Sequence, residues 1–468
     1  MPEALISVTQ QVEFDRTLIS RYDGKGPRYT SYPTADRFDT NFGAGDYLQA
    51  LRHQAPGTPS KPLSLYFHLP FCNTVCYYCA CNKVITKDRS LADRYLDHLL
   101  REIDLQADQL PHRAAVSQLH FGGGTPTFLS DAQLQRLMAA IRSRFELQPG
   151  GEYSIEIDPR HVSQETVRLL GKLGFNRISV GVQDFNPAVQ IAVNRIQSED
   201  ETRDVIETAR DSGFNSVSID LIYGLPMQTA QSVQTTIERV LLLRPDRLSL
   251  YNYAHLPERF MPQRRINAAD LPAPETKLDI LQNSIGQLTA AGYVFIGMDH
   301  FALPDDELAV AQRQGRLHRN FQGYSTHADC DLMAFGVSAI SKVGPTYCQN
   351  VKTLDDYYAN IDSGQLAVDR GIRLDDDDLL RRAVIQVLMC QFEIDFRTIE
   401  QAYRIDFRKY FAAELKSLAA MQDDGLLQVD ADRIVVRPRG RLLIRSIAMT
   451  FDRYLRERSS AARFSRLI

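Results

Sequence analysis

The sequence predicts an α/β fold, a partial (β/α)6 TIM-like barrel with an N-terminal extension and a mostly helical C-terminal domain. From residue 63 onward, short runs rich in β-branched residues alternate with amphipathic stretches, the order typical of a parallel sheet with right-handed crossovers. Nearly every strand candidate carries polar residues at its carboxyl end, and such residues converge on the active face of a barrel. The G-x-G-x-x-G pattern of an open dinucleotide-binding sheet does not occur in the sequence.

The alternating elements extend to residue 298. Strands are predicted at 63–68, 116–121, 153–158, 177–182, 216–222, 247–251 and 293–298. Helices are predicted between them at 91–110, 131–145, 163–173, 198–212, 229–243 and 274–291. Ser163 and Thr166 mark one helix start, and Gly174 and Gly213 lie just past two helix ends, where a left-handed residue is favoured. Six β-α units followed by one last strand favour an incomplete barrel over a closed barrel of eight.

Three domains are predicted, at 1–60, 61–373 and 374–468. The first is a polar extension whose tyrosine-rich segment, 27–34, we expect to pack over another part of the protein or a substrate. Residues 300–350 look irregular, with one helix at 306–315. The last domain is predicted to have helices at 375–390, 399–411, 412–421 and 440–455 and a strand pair at 427–429 and 434–436.

Composition excludes several classes of protein. The 468 residues are 44% hydrophobic and carry a formal net charge of −4, with the positive charges dispersed, so a general attraction to nucleic acid is not expected. The N-terminal residues lack the basic segment and apolar run of a secretory signal. No stretch approaches the ~20 apolar residues of a membrane span. We therefore expect a soluble, cytoplasmic protein that does not enter a membrane.

The spacing C-x3-C-x2-C of Cys72, Cys76 and Cys79 is the most informative motif. An iron–sulfur cube normally takes four cysteines, so three would leave one iron open to a small molecule. This spacing resembles that of the radical S-adenosylmethionine (SAM) enzymes. With Cys81 nearby, a structural zinc site is an alternative, although zinc ligands usually form two distant pairs. Disulfides are a weaker alternative, because the sequence has seven cysteines and nothing indicates an oxidising compartment.

Further motifs follow the predicted strands. They are the turn at 122–127 (Gly-Gly-Gly-Thr-Pro-Thr) and the segments 156–159, 181–186, 194–195, 220–226, 253–257 and 320–324. Together with the cysteine segment they resemble the oxygen-independent coproporphyrinogen III oxidase family, from residue 27 into the C-terminal domain. The resemblance implies a partial (β/α)6 barrel and an oxidative decarboxylation in haem biosynthesis. Two propionate side chains of coproporphyrinogen III would become vinyl groups, giving protoporphyrinogen IX, through a SAM-derived 5′-deoxyadenosyl radical.

The resemblance also implies cofactors and their residues. A [4Fe-4S] cluster would be held by Cys72, Cys76 and Cys79. The SAM on the cluster would contact Tyr66, Tyr78, Gly123, Glu156 and Ile340. A second SAM in the same active site would contact Gly124, Thr125, Gln183, Arg195, Asp220 and Ala254. The catalytic candidates are Tyr66, Glu156 and Cys81, the last as a substrate or proton-relay group rather than a ligand. Tyr78 departs from the family, in which phenylalanine is common, but keeps an aromatic ring.

Partners follow from the same chemistry. The substrate carries four carboxylates, for which Arg28 and Arg319 are candidate partners. We expect an external electron donor such as flavodoxin or ferredoxin, a monomer, and no nucleic acid. Two alternatives stay open. One is a haem chaperone of the same superfamily, which carries haem without decarboxylating it. The other is a winged-helix nucleic-acid module at 423–455, suggested by a strand pair followed by clustered arginines.

Overall fold

The computed structural model describes residues 12–52, 61–327 and 330–456, so the predictions that fall on the first residues and on 53–60 lie outside it. The strands are β1 (Leu63–Leu69), β2 (Phe71–Cys72), β3 (Val84–Ile85), β4 (Ala115–Gly123), β5 (Glu146–Ile157), β6 (Arg177–Gln183), β7 (Ser216–Tyr223), β8 (Arg247–Asn252), β9 (Val294–Gly297), β10 (His300–Ala302), β11 (His318–Asn320), β12 (Gly323–Ser325), β13 (Asp331–Phe335), β14 (Ile340–Val343), β15 (Thr346–Asn350), β16 (Val368–Arg373), β17 (Glu393–Asp395), β18 (Leu427–Val429) and β19 (Arg433–Val436).

The helices are α1 (Arg16–Tyr22), α2 (Ala44–Arg52), α3 (Ser90–Ala107), α4 (Asp131–Arg144), α5 (Gln164–Lys172), α6 (Pro187–Ala192), α7 (Glu199–Asp211), α8 (Ala230–Leu242), α9 (Pro274–Ala290), α10 (Glu307–Arg313), α11 (Leu354–Asp362), α12 (Asp376–Gln391), α13 (Phe396–Tyr403), α14 (Phe407–Tyr410), α15 (Ala412–Asp423), α16 (Ile444–Met449) and α17 (Arg453–Arg456). Among the described residues, none of them combines the length and the apolar character that crossing a membrane requires.

The chain divides into two compact units, each built from separated segments. Of the described residues, the larger unit comprises 36–52, 61–273 and 330–373, and the smaller comprises 12–35, 274–327 and 374–456. The three domains predicted from the sequence are each continuous in the chain, whereas the two compact units are not. The predicted domains therefore describe proposed roles and stay a prediction.

The larger unit contains the predicted partial barrel. Strands β1, β4, β5, β6, β7 and β8 lie side by side in that order, and every neighbouring pair is parallel. Helices α3, α4, α5, α7 and α8 make the connections between successive strands. Sequential parallel pairing with a helix in each crossover is the (β/α)6 arrangement. The predicted fold class is therefore confirmed.

Local signals explain why these helices begin where they do. Ser130 accepts a hydrogen bond from the backbone of Gln133 at the start of α4, and the Gln133 side chain bonds back to Ser130. Ser198 and Glu201 form the same reciprocal pair at α7. Such capping boxes satisfy backbone donors that the first turn of a helix leaves unpaired. The core beneath is aromatic, with the rings of Phe67 and Phe335 stacked 4.7 Å apart.

Antiparallel strands extend the barrel sheet at the β1 edge. Strand β13 pairs parallel to β1, and β14, β15 and β16 then follow as an antiparallel series. For residues 300–350 the sequence predicted an irregular segment with one helix at 306–315. The helix is confirmed as α10, whereas the irregular assignment was wrong because it missed β13, β14 and β15. The strands are short, and Gly336 and Gly344, both with positive φ, sit at the turns between them.

The last predicted strand, 293–298, is present as β9 but pairs differently from the expectation. It forms an antiparallel hairpin with β10 inside the smaller unit. Gly297 and Met298 both have positive φ, which allows the chain to reverse within a tight turn. The expectation that this strand would end the parallel series was wrong because the turn places a second short strand directly after it.

The C-terminal part of the smaller unit is mostly helical, as predicted, but two predicted helices are interrupted. Residues 399–411 divide into α13 and α14, because Arg404 ends α13 in the left-handed conformation with φ 56°. The predicted helix at 440–455 divides into α16 and α17 around Asp452, whose carboxylate accepts hydrogen bonds from the backbone of Tyr454 and from the hydroxyl of Tyr29. Tyr29 and Tyr32 of the tyrosine-rich segment are buried in this unit, at 2% and 1% exposure.

Candidate active site

A loop between β1 and α3 carries the three cysteines of the motif. Its two short strands, β2 and β3, pair in parallel and place Cys72 opposite Ile85. Farther along, the side chain of Asn194 donates to the carbonyl of Val75 at 2.7 Å, and the backbone of Tyr77 donates to the carbonyl of Val193 at 2.9 Å. The segment at 193–194 therefore holds the loop through the loop's backbone groups, so the cysteine side chains are not needed for these contacts.

The thiols open into a cavity of about 310 Å³ at the carboxyl ends of the barrel strands. Predicted site residues that line it are Cys72, Cys76, Tyr78, Cys79, Cys81, Gly123, Gly124, Thr125, Glu156, Gln183, Arg195 and Asp220. Further lining residues include Lys83, Asp158, Arg160, His161, Ser179 and Tyr251. The expectation that polar residues of several strand ends would meet on one rim is confirmed.

The glycine turn after β4 brings backbone against the cysteine loop. Gly124 donates to the carbonyl of Leu69 at 2.9 Å, and a Cβ at Gly124 would lie only 2.6 Å from the carbonyl oxygen of Pro70. Gly123 has φ 116°, a conformation that favours glycine. A Cβ there would lie 2.7 Å from the ring of His68. The turn therefore needs glycine both for its conformation and for this close approach.

The sulfur atoms receive hydrogen bonds from neighbouring side chains. The hydroxyl of Thr125 lies 3.5 Å from the sulfur of Cys72, while burial raises the pKa of the Cys72 thiol to about 11. A hydrogen bond from the Cys81 thiol lowers the pKa of Cys79, and the ammonium group of Lys83 adds to the effect. A low thiol pKa favours the thiolate, which is the form that binds a metal.

Two arginines approach the third sulfur, that of Cys76. Nη1 of Arg195 lies 3.6 Å from it, and Nη2 of Arg160 lies 3.7 Å from it. Asp158 bonds to both guanidinium groups, at 3.0 Å and 2.6 Å. Although burial opposes ionisation, these two cations lower the pKa of Asp158 to about 2. The carboxylate is therefore ionised at neutral and mildly acidic pH.

Glu156 points from the end of β5 toward the glycine turn. One carboxylate oxygen accepts a hydrogen bond from the backbone of Gly123 at 3.1 Å, and the other lies 3.3 Å from Nε2 of His120. Burial favours the neutral acid, but the hydrogen bonds from His120 and Gly123 outweigh it and lower the pKa of Glu156 below its ordinary value. An ionised acceptor partly exposed to the cavity can bind an ammonium group or hydroxyls.

Asp220 is the second strand-end carboxylate of the cavity, at β7. Burial and the nearby charge of Glu156 raise the pKa of Asp220 to about 6, although the Ser179 hydroxyl donates to it at 2.8 Å. The two carboxylates therefore differ in how they respond to pH. Glu156 stays ionised in mildly acidic solution, whereas Asp220 titrates there.

The donor set fits an iron–sulfur cluster with a ligand beside it. Among the described residues, no three His, Cys, Asp or Glu side chains are placed to hold one metal ion, whereas the ligands of a cube bind separate irons. Nε of Arg195 is buried and has no hydrogen-bond partner within the described part of the chain. An unpaired buried N–H is costly, and a carboxylate of a bound molecule would satisfy it.

The structure does not place every predicted residue at the cavity. Three predicted site residues do not line the cavity: Tyr66, Ala254 and Ile340. Tyr66 donates instead to Nδ1 of His68, whose Nε2 faces the carbonyl of Asn82. Sequence reasoning assigned no role to Arg160, His161 or Ser179, since none stands in a spacing pattern. Only their position directly after or within strands β5 and β6 could have indicated them.

Comparison with known proteins agrees with this geometry. Residues 66–240 match the model of the radical SAM superfamily, and residues 374–443 match the HemN C-terminal domain. An oxygen-independent coproporphyrinogen III oxidase of Pseudomonas aeruginosa is 55% identical over 98% of this chain and 99% of its own length. The chain belongs to the oxygen-independent coproporphyrinogen III oxidase family. The corresponding enzyme of Helicobacter pylori is 41% identical over 96% of this chain and 98% of its own.

A solved structure extends the match to the fold. Coproporphyrinogen III oxidase (HemN) from Escherichia coli, described as a radical SAM enzyme, superposes with a TM-score of 0.90 at 52% identity, covering 95% of this chain and all of that chain. Membership of the radical SAM superfamily implies a [4Fe-4S] cluster and SAM, which removes the zinc alternative for the cysteines. The match at 374–443 also accounts for most of the segment that suggested a winged-helix module.

Proposed function

We propose that this protein catalyses the anaerobic oxidative decarboxylation of two propionate side chains of coproporphyrinogen III to vinyl groups, giving protoporphyrinogen IX. The observation that carries the proposal is the shared cavity of Cys72, Cys76 and Cys79 with Glu156 at the barrel rim. It occurs in a chain that matches enzymes of this name over almost its whole length.

Residues of the cavity have separate tasks in this proposal. Three thiolates would hold a [4Fe-4S] cluster, which together with bound SAM supplies a one-electron reduction and the removal of a hydrogen atom from the substrate. Glu156 would accept hydrogen bonds from SAM, and Gly123 lets the ligand approach the backbone. The unpaired Nε of Arg195 would donate to a SAM carboxylate.

A second SAM is part of the proposal, as are catalytic roles for Tyr66, Glu156 and Cys81. Five of the six residues assigned to the second SAM line the same cavity as the cysteines: Gly124, Thr125, Gln183, Arg195 and Asp220. Cys81 is exposed, and the ring of Tyr66 stacks on His120, which in turn faces Glu156. This places Tyr66 beside the carboxylate that would hold SAM.

The proposed partners rest on the chemistry of the substrate and of the cluster. Arg28 pairs with Asp299 at 2.9 Å, and Arg319 is buried with Nε and Nη1 lacking hydrogen bonds in the described residues. Both stay candidates for the substrate carboxylates. We further propose a monomer in the cytoplasm that receives electrons from a flavodoxin or ferredoxin, since a reduced cluster and free thiols need a reducing compartment.

The activity can be tested directly. The iron-loaded protein, incubated without oxygen with SAM, a reductant and coproporphyrinogen III, is expected to release 5′-deoxyadenosine and carbon dioxide and to form protoporphyrinogen IX. Cluster-loaded protein that yields neither deoxyadenosine nor vinyl product would contradict the proposal. Stoichiometric haem binding without turnover would favour the haem-chaperone alternative.

Binding of SAM is expected to depend on pH through Asp220. Protonation removes the negative charge and turns one acceptor oxygen into a donor, so affinity should fall as the pH is lowered through about 6, the pKa of this carboxyl group. Roughly a tenfold loss is expected near pH 5 relative to pH 8. Equilibrium dialysis with labelled SAM measures it. Asp220→Asn should bind SAM weakly at every pH, without the fall in affinity near pH 6. Asp211→Asn is the control, because it removes the same charge from an exposed position on α7, and it should keep that fall. A fall that persists in Asp220→Asn would assign it to another group.

A further inference from the structure

Arg160 stands out among the cavity residues because no motif and no resemblance gives it a task. It belongs to a short turn, Pro159–His161, directly after β5, and its side chain is only 10% exposed. A buried guanidinium must be paired, and its partners indicate what it does.

One edge of the Arg160 guanidinium is fully engaged by Asp158. Nε donates to one carboxylate oxygen at 2.9 Å and Nη2 to the other at 2.6 Å, the bidentate geometry of the strongest Arg–carboxylate pairs. Asp158 also accepts from the backbone of Arg160 at 3.2 Å, as the cap of the turn. The side chain is therefore fixed in direction.

The fixed direction brings Nη2 to 3.7 Å from the sulfur of Cys76. Arg195 also contacts this sulfur and also donates to Asp158, so two cations that share one carboxylate lie beside the thiolate. Asp158 neutralises one cation, which leaves one positive charge in excess beside the thiolate. Arg195 has a further task available through its unpaired Nε, whereas the polar contacts of the Arg160 guanidinium go to Asp158 and to Cys76.

We propose that Arg160 is a positioning residue for the cluster: held by Asp158, it donates a hydrogen bond to the Cys76 thiolate and raises the reduction potential of the bound cluster. Hydrogen bonds to cluster sulfurs and net charge are two of the factors that set such potentials. Reduction adds a negative charge to the cluster, so a fixed cation beside a ligand sulfur stabilises the reduced state. The proposal rests on the cluster of the proposed function but not on turnover.

A redox titration followed by electron paramagnetic resonance tests this. Wild type and variants are first compared for iron and sulfide content, so a failure to bind a cluster at all is separated from a change in its potential. Arg160→Gln should bind a full cluster with a more negative midpoint potential. Arg160→Lys keeps the positive charge but loses the bidentate guanidinium, so its midpoint potential should lie between those of wild type and Arg160→Gln.

The proposal predicts that the midpoint potential shifts in opposite directions in the Arg160 and Asp158 variants. Asp158→Asn removes the negative charge but keeps one side-chain oxygen that can still accept from the guanidinium groups of Arg160 and Arg195. With both cations held at Cys76 and no counter-charge, the midpoint should shift to more positive potential. Arg168→Gln is the matched control, since it removes an arginine with a 51% exposed side chain paired with Glu165 on the outside of α5, and should leave the potential unchanged. Equal potentials in wild type and Arg160→Gln, or shifts of the same sign in the Arg160 and Asp158 variants, would overturn the proposal. So would loss of the cluster in Arg160→Gln, since holding it is assigned to the cysteines.

Discussion

Replacing Cys72 by alanine is expected to abolish the brown iron–sulfur absorbance of the reconstituted protein and all turnover, while the fold persists. Only three thiolates are assigned to the cluster, so losing one leaves two, too few to retain it. The Cys72 side chain is partly exposed at the cavity rather than packed in the core. The cluster-free variant should therefore unfold within about 0.5 kcal/mol of the cluster-free wild type.

Two matched variants make the Cys72 result specific. Cys81→Ala removes a thiol from the same loop but not a ligand, and should keep the absorbance. Cys348→Ala removes a thiol buried in β15, away from the cavity lining, and should keep it too. Iron analysis and the visible spectrum check all three proteins. A Cys72→Ala protein with the iron content of wild type would show that the cluster is held differently.

The barrel could be predicted because its signal is local. Each parallel strand is a short run of β-branched and apolar residues, and each helix that follows has an amphipathic pattern and a cap. Strand β6 begins at Arg177, as predicted, and α4 begins at Asp131, as predicted. The antiparallel strands β13–β16 lack this signal because they are only four to six residues long and pair across tight turns. The break at Asp452 coincides with a tertiary hydrogen bond from Tyr29, and the break at Arg404 with a left-handed backbone that closes on Glu400; helix propensity reports neither.

The site could be predicted to the extent that it lies in motifs and at strand ends. The cysteines, the glycine turn, Glu156 and Asp220 all satisfy that condition, and they meet at one cavity. The role of Arg160 depends on its distance to Cys76, which lies 84 residues earlier in the chain. No pattern within a window of sequence contains that contact. The assignment of Tyr66 to SAM came from the family resemblance and stays a prediction; in the structure its hydroxyl donates to His68, two residues later.

Replacing Gly124 by alanine is expected to have the second large effect, although it adds a single methyl group. Its Cβ would lie 2.6 Å from the carbonyl oxygen of Pro70 and 2.8 Å from that of Phe71, and both atoms are backbone that cannot rotate away. The strand end and the cysteine loop would have to separate. That movement breaks the 2.9 Å hydrogen bond from Gly124 to Leu69 and the 2.8 Å bond from Thr125 to Phe71.

This movement would also displace Cys72, a proposed cluster ligand, because Cys72 directly follows Phe71. We expect Gly124→Ala to lose about 1–3 kcal/mol of stability, the usual cost of overpacking, and to retain little iron after reconstitution. Gly43→Ala is the matched control, since a Cβ there meets nothing within 4 Å, and it should behave as wild type. Thermal unfolding and iron content measure both effects. A Gly124→Ala protein that is as stable and as rich in iron as Gly43→Ala would show that the turn and the cysteine loop can separate without cost. The cluster would then depend on its thiol ligands alone and not on the backbone contact that aligns them.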